Sequence, residues 1–252
     1  MTTEAAHTGF EFTLADVRDV EGWMTDAQAR RLWDAASRVT APGRIVEIGS
    51  FRGRSTIVLA RAARDGVEVV AIDPHAGNDR GPQEIAPDAV RGNEDFDRFH
   101  GNLRAAGVDD DVRHVRLPSE DALGAVQAPV DLLYVDGAHR YAPARDDIRR
   151  YGALVRPGGT LLVHDSYNAI GVMLAQLRLL FGSSQFRYVG RSGSLAEWHR
   201  EPLGAKERAR NFGRQAAGVP YFVRNGFIKV ALVAKQPRIA RLFGHDTGHW
   251  PY

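Results

Sequence analysis

The stretch Val130-Asp131-Leu132-Leu133-Tyr134-Val135-Asp136-Gly137-Ala138-His139 is a largely apolar run that stops abruptly in an acid, a turn and an imidazole. A second run repeats the pattern, ending in His164-Asp165-Ser166-Tyr167-Asn168. Short runs without polar alternation are buried on both faces, which is the mark of strands inside a parallel sheet. Ligands of open parallel sheets collect beyond the carboxyl ends of the strands, so acids and imidazoles that stop two neighbouring strands point to a site.

Working outward, further apolar runs lie at residues 44–48, 68–72 and 112–117, with the two above occupying 130–135 and 160–163. Helical patterning falls between them, at residues 55–64, 96–106, 143–155 and 169–181. Alternating strand and helix gives a doubly wound, Rossmann-like α/β fold with a mostly parallel sheet. Ahead of it, residues 25–39 form a helix opened by a Thr25/Gln28 capping box, with Ala29, Leu32, Trp33 and Ala36 on one stripe. After Gly182 the runs 186–189 and 194–198 are joined by so short a turn that they must be antiparallel neighbours. Residues 75–95 are polar and rich in Gly, Pro and Asp, and are expected to be a structureless lid over the site. The expected units are a helical cap or lid at 1–40, an α/β domain at 41–200 and a basic extension at 201–252 that packs on the core or on a second subunit.

The chain has 252 residues, 44% hydrophobic and 25% charged, which suits one large globular domain with a short appendage. It has no cysteine, so thiolate nucleophiles, disulfides and cysteine metal sites are excluded, and any metal must take oxygen or imidazole ligands. The opening MTTEAAHTGFEF has no signal-peptide pattern and no segment reaches the ~18 apolar residues of a membrane helix, so a cytoplasmic location is expected. Net charge is +2 but uneven: residues 200–252 carry ten Lys or Arg against three Asp or Glu. Such a tail can meet an acidic ligand, a partner subunit or a lipid surface, or simply be solvated.

The first strand runs into Val46-Glu47-Ile48-Gly49-Ser50-Phe51-Arg52-Gly53-Arg54-Ser55-Thr56. Gly49 and Gly53 let the backbone turn tightly against a ligand at a helix N-terminus. Asp73 ends the second strand 26 residues after Glu47, where an acid can take both hydroxyls of a ribose. The dinucleotide fingerprint needs Gly-x-Gly-x-x-Gly, and its second glycine falls on Phe51, which favours a smaller nucleoside ligand over NAD.

The order Glu-x-Gly-x-x-x-Gly-x-Ser, the acid after strand two, Ser119-Glu120-Asp121 after strand three and Asp136-Gly-x-His139 after strand four resembles class I S-adenosylmethionine-dependent methyltransferases, in particular the small metal-dependent O-methyltransferases. The likeness spans roughly residues 23–200 and implies a seven-stranded sheet closed by a C-terminal antiparallel hairpin. It implies a cofactor site in which Glu47 and Ser55, with Gly49, Ser50 and Gly53, hold the methionine end. Asp73 would take the ribose, Ser119 with Glu120 the adenine rim, and Asp136 would border the cofactor.

The chemistry has its own logic. A sugar or phenol hydroxyl is a poor nucleophile, and a divalent cation on its oxygen lowers its pKa and orients it. Mg²⁺ prefers oxygen ligands and keeps several waters, so two carboxylates suffice; Asp136 and Asp165, 29 residues apart, can supply them. His139 lies three residues past Asp136 and can take the hydroxyl proton at neutral pH. In the family that position is commonly Lys, so His139 is a departure. His164 is either a direct metal ligand or a packing residue beside the site. Tyr141, Tyr167 and Asn168 are candidate substrate contacts.

The stretch from Trp23 to Ala71-Ile72-Asp73-Pro74-His75-Ala76-Gly77-Asn78-Asp79-Arg80 further resembles actinobacterial sugar O-methyltransferases linked to methylmannose polysaccharides, which implies a mannoside 1-hydroxyl as acceptor. A polar lid with aromatics at Trp23, Phe96 and Phe99 suits carbohydrate. The expected partners are a small-molecule or oligosaccharide acceptor and a second copy of the chain, with no nucleic acid and no stable membrane insertion. Competing readings are a phenolic or natural-product sugar acceptor, a metal-dependent hydroxylase or hydrolase using His164, Asp165 and His139, and a non-catalytic binding protein held by its basic tail.

Overall fold

A computed structural model describes residues 9–78 and 86–245. The strands are β1 (Gly43–Ile48), β2 (Val67–Ile72), β3 (Val112–Val115), β4 (Val130–Val135), β5 (Val155–Val163), β6 (Phe186–Ser192) and β7 (Leu195–Arg200). The helices are α1 (Phe10–Asp16), α2 (Asp26–Ser37), α3 (Arg54–Ala62), α4 (Ala89–Ala105), α5 (Ser119–Ala122), α6 (Tyr141–Gly152), α7 (Ile170–Leu179), α8 (Ala205–Ala216), α9 (Val219–Val233) and α10 (Pro237–Leu242).

The seven strands form one sheet in the order β3-β2-β1-β4-β5-β7-β6. β1 to β5 are parallel, while β7 runs antiparallel to both β5 and β6. The expected architecture is therefore found, closing hairpin included. Two apolar layers bury the sheet. On one face Ile45, Val69, Leu132 and Leu162 meet Leu32, Ile57, Val58, Phe99 and Leu103 from α2, α3 and α4. On the other, Val46, Val70, Leu133 and Leu161 meet Ile148, Tyr151, Val172 and Phe181.

Register decides where the chemistry lies. Ile48 pairs with Ile72 and Val135, and Val135 pairs with Val163. Gly49, Asp73, Asp136 and His164 are the next residues of their strands, so all four emerge in line at one edge, where the chain reverses from β1 to β4 in the order and a crevice opens.

The Thr25/Gln28 capping box opens α2 with both reciprocal bonds formed. Two expectations change. Residues 75–95 are not structureless throughout: α4 starts at Ala89 rather than residue 96, because the Asp88 carboxylate accepts from the amides of Val90 and Arg91 and caps the helix. The central residues of the expected lid, 79–85, lie outside the described ones. Phe99, assigned to the sugar-facing lid, is fully buried in the core beneath α4.

The basic extension packs on the core. Gln215 of α8 accepts from the Trp198 indole at 3.0 Å and donates to the carbonyl of Leu180, while Asn211 bonds the backbone of Phe186 and Tyr188. Among the described residues no helix is long and apolar enough to cross a membrane.

Candidate active site

The β1–α3 loop is the floor of the site. Gly49 and Gly53 both have φ of +87°, and a Cβ on Gly49 would sit 2.2 Å from the carbonyl oxygen of Asp136. Glycine at 49 thus lets the loop rest directly on the backbone of the β4 acid. Between them Phe51 is clamped at both ends: its amide donates to Asp73 Oδ2 at 2.8 Å and its carbonyl lies 2.7 Å from His75 Nε2. Asp73 Oδ1 accepts the amide of His75 at 2.7 Å, so the strand-two acid is fixed by two backbone donors, and each oxygen retains a further lone pair.

A narrow cleft above this loop is lined by Gly49, Ser50, Ser55, Tyr134 and Asp136, with Trp23 from the segment before α2 across from them. Trp23 stacks on Phe51 with ring centroids 5.3 Å apart. The hydroxyl of Ser50 is buried and has no hydrogen-bond partner among the described residues. Glu47 is fully buried beneath the cleft and accepts hydrogen bonds from the hydroxyls of Ser55 and Thr56, so two of the expected methionine-end residues bond each other. Burial pushes its carboxyl up to about 8, against the pull of those hydroxyls and with help from the charges of Asp136 and Asp73.

Beyond the cleft the two strand-end acids each face a histidine. Tyr134 donates to Asp136 Oδ2 at 2.7 Å, and His164 Nδ1 lies 3.0 Å from Asp136 Oδ1. His139 Nε2 lies 2.9 Å from Asp165 Oδ2, and Asn168 Nδ2 donates to Asp165 Oδ1 at 2.6 Å. Burial alone would raise the Asp165 pKa, but the charges and hydrogen bonds of His139, His164 and Asn168 hold it far below the usual carboxylate range. Burial would likewise lower both imidazoles, yet Asp165 and Asp136 hold His139 and His164 above their ordinary value. His139 is half exposed and can meet a substrate, whereas His164 is buried with no partner for its Nε2 among the described residues.

The sequence-predicted residues divide accordingly. Gly49, Ser50, Ser55 and Asp136 share the cleft, Asp73 borders it through Phe51, and His139, His164 and Asp165 gather at its end. Gly53 turns the loop into α3, with its Cβ position blocked by Leu103. Ser119 and Glu120 open α5 beyond β3 and do not line the cleft; Glu120 is exposed, and Tyr151 donates to the carbonyl of Ser119 at 2.6 Å. Tyr167 is not a substrate contact: it is fully buried and its hydroxyl donates to the carbonyl of Gln215. Asn168 is also buried, its amide spent on Asp165, while Tyr141 stays exposed enough to meet an acceptor. Tyr134 and His75 were missed. Tyr134 was legible, since a strand repeats every two residues and puts 134 beside 136.

The donor set at the strand ends, two carboxylates beside imidazole and phenol, suits a hard divalent cation. Among the described residues no three His, Asp or Glu side chains converge as a metal cage, but an Mg²⁺ that keeps its waters requires only two carboxylates.

Residues 46–166 match the methyltransferase domain family. Among solved structures, the chain is similar to the O-methyltransferase TomG of Streptomyces achromogenes, involved in tomaymycin synthesis and bound to S-adenosylmethionine, at 23% identity and TM-score 0.52, over 79% of this chain and 89% of that one. It is similar to the O-methyltransferase NovP at 21% identity and TM-score 0.55, over 76% and 88%. The Bacillus cereus O-methyltransferase in complex with S-adenosylhomocysteine gives 19% identity and TM-score 0.52, over 76% and 90%. The matched stretch opens in β1 and ends one residue past Asp165, so it contains both strand-end acids and the loop between β1 and α3. The domain match lies at the centre of a sheet that is complete around it, so the chain has the class I methyltransferase fold, with residues 46–166 similar to the methyltransferase domain family.

Proposed function

We propose that the protein moves a methyl group from S-adenosylmethionine to a hydroxyl oxygen of a small sugar or oligosaccharide, using Mg²⁺ held by Asp136 and Asp165. The observation that carries this reading is the convergence of Asp136, Asp165 and a half-exposed His139 at the end of the cleft that begins at Gly49. Glu47, Ser50 and Ser55 face the methionine end of the cofactor, the orphaned Ser50 hydroxyl being suited to its carboxylate. Asp73, its carboxylate held by two amides, takes the ribose, and Ser119 with Glu120, which stand at the start of α5 outside the narrow cleft, form the adenine rim that the family likeness implies.

The cation, when bound, lowers the acceptor hydroxyl's pKa and orients its oxygen. His139 takes the proton. Its Nε2 lies 2.9 Å from Asp165 Oδ2, so that carboxylate orients the imidazole and would stabilise the imidazolium formed when it accepts the proton. His164 stays buried behind Asp136 and orients it. The bond from sulfur to methyl breaks as the bond from oxygen to methyl forms, and the hydroxyl proton ends on His139.

The acceptor we favour is a mannoside 1-hydroxyl, on the likeness to sugar O-methyltransferases of methylmannose polysaccharide synthesis, and the exposed rings of Trp23 and Tyr141 offer faces for a pyranose. The similarity to TomG and NovP supports the alternative of a phenolic or natural-product sugar acceptor. A cytoplasmic homodimer completes the reading, supported by the absence of cysteine and by the exposed Val223, Phe227, Val230 and Val233 of α9; light scattering tests the dimer. The deciding experiment is transfer of labelled methyl to mannosides, phenols and macrolide sugars, with and without EDTA. Transfer to a mannoside, abolished by chelation and restored by Mg²⁺, is expected; full activity after verified metal removal overturns the metal mechanism, and a preference for phenols overturns the sugar.

A further inference from the structure

The loop after β5 carries two non-glycine residues in the left-handed region within three positions, Asp165 at φ 52° and Tyr167 at φ 57°. Such a conformation persists only where its surroundings over-determine it. Part of the support is local: Ser166 Oγ donates to the carbonyl of Val163, and the amides of Asn168 and Ala169 both return to the carbonyl of Asp165. The rest comes from the C-terminal segment. The Tyr167 hydroxyl donates to Gln215, its ring fills the space a Cβ on Gly218 would need, and Lys229 Nζ of α9 donates to the carbonyl of Asn168 at 2.8 Å.

Lys229 therefore connects to the acid by a short relay, ammonium to the carbonyl of Asn168 and the Asn168 amide to Asp165 Oδ1 at 2.6 Å. It is half-buried on a helix whose Asn225, Ile228 and Ala231 are buried, so the ammonium is delivered by a fixed element. Burial depresses its pKa, and the charge of Asp165 acts against that, which puts the two groups within electrostatic reach.

We propose that Lys229 is a positioning residue for Asp165, and that the C-terminal segment is part of the reaction centre. This rests on the methyl-transfer reading for its activity arm alone. Lys229 holds the 165–168 loop in its strained shape and so sets the carboxylate at the distance from His139 that the chemistry uses.

The test compares Lys229→Met, which keeps the stem and loses the donor, with Lys229→Arg, which keeps a donor. Hydrogen exchange at the amides of Asn168 and Ala169 reports the loop without any turnover. Lys229→Met is expected to lose protection there while α2 and α3 keep theirs, to bind S-adenosylhomocysteine within about twofold of the parent, and to lose about ten- to a hundredfold in kcat at unchanged KM for the cofactor. Lys229→Arg is expected to recover protection and most of the rate. Unchanged protection in Lys229→Met overturns the proposal, as does a uniform loss of protection and cofactor affinity, which marks general destabilisation. A parent protein that methylates nothing refutes the functional reading and leaves the exchange result standing.

Discussion

Glu47→Gln should make the protein more stable and worse at binding its cofactor. The parent carboxyl is fully buried and ionises near 8 instead of the ordinary 4.5. A group with a raised folded-state pKa contributes stability that is fully present below the unfolded value and is lost as pH rises through the folded one, at about 1.4 kcal/mol per pH unit. Near pH 7 that loss is on the order of 3 kcal/mol. Glutamine removes it and leaves an amide for the Ser55 and Thr56 hydroxyls, at the cost of seating a group with different donors, so a net gain of about 1–2 kcal/mol is expected, or roughly 2–8 °C in Tm. Urea denaturation near pH 5 and near pH 7.5 checks the sign, because the advantage of the variant should shrink at the lower pH and grow at the higher. If Glu47 faces the methionine end as proposed, the variant withdraws a carboxylate from the cofactor's ammonium, so affinity for S-adenosylhomocysteine should fall about ten- to a hundredfold in calorimetry. The parent should in addition release a proton on binding at pH 7. A variant that is no more stable than the parent at pH 7.5, or whose advantage is independent of pH, refutes the reasoning from burial.

Gly49→Ala forces a Cβ to within 2.2 Å of the Asp136 carbonyl at a φ few L residues adopt, so it should lower stability by about 1–3 kcal/mol and abolish the thermal shift given by S-adenosylhomocysteine. His139→Ala should slow methyl transfer by about a hundred- to ten-thousandfold, measured at saturating substrates, with cofactor binding intact. Asp73→Asn keeps the acceptor oxygen for one of the two amides of Phe51 and His75 but loses the charge, and calorimetry should show cofactor affinity about tenfold weaker with the rate at saturation little changed.

The strands were legible because burial on both faces leaves continuous apolar runs, and the end of each run marked the sheet edge to within a residue or two. Thr25 and Gln28 announced α2 by the bonds they make. The start of α4 was legible too, since Asp88 follows a proline and precedes a helical pattern, yet the surrounding polar residues read as loop. Site residues on strand ends could be found because strand order and carboxyl ends follow from the βα alternation. Lys229 could not: it stands 64 residues past Asp165 on a helix whose docking depends on tertiary packing, and nothing in its local sequence distinguishes it from a solvated lysine. Tyr167 misled for the converse reason, since a tyrosine beside a strand-end acid reads as a substrate contact until Gln215 is placed above it.

The polar seam between α8 and the core bears on how such a protein can be recombined with others. A chimaera joined after Arg200 would leave the Trp198 indole, the Tyr167 hydroxyl and the backbone of Leu180 facing a foreign surface, each unsatisfied group costing about 1–3 kcal/mol. That total approaches the whole stability of an ordinary domain. The transferable module is thus the sheet together with α8 and α9, and grafts that exchange acceptor preference have their natural seams in the surface loops, not at the end of β7.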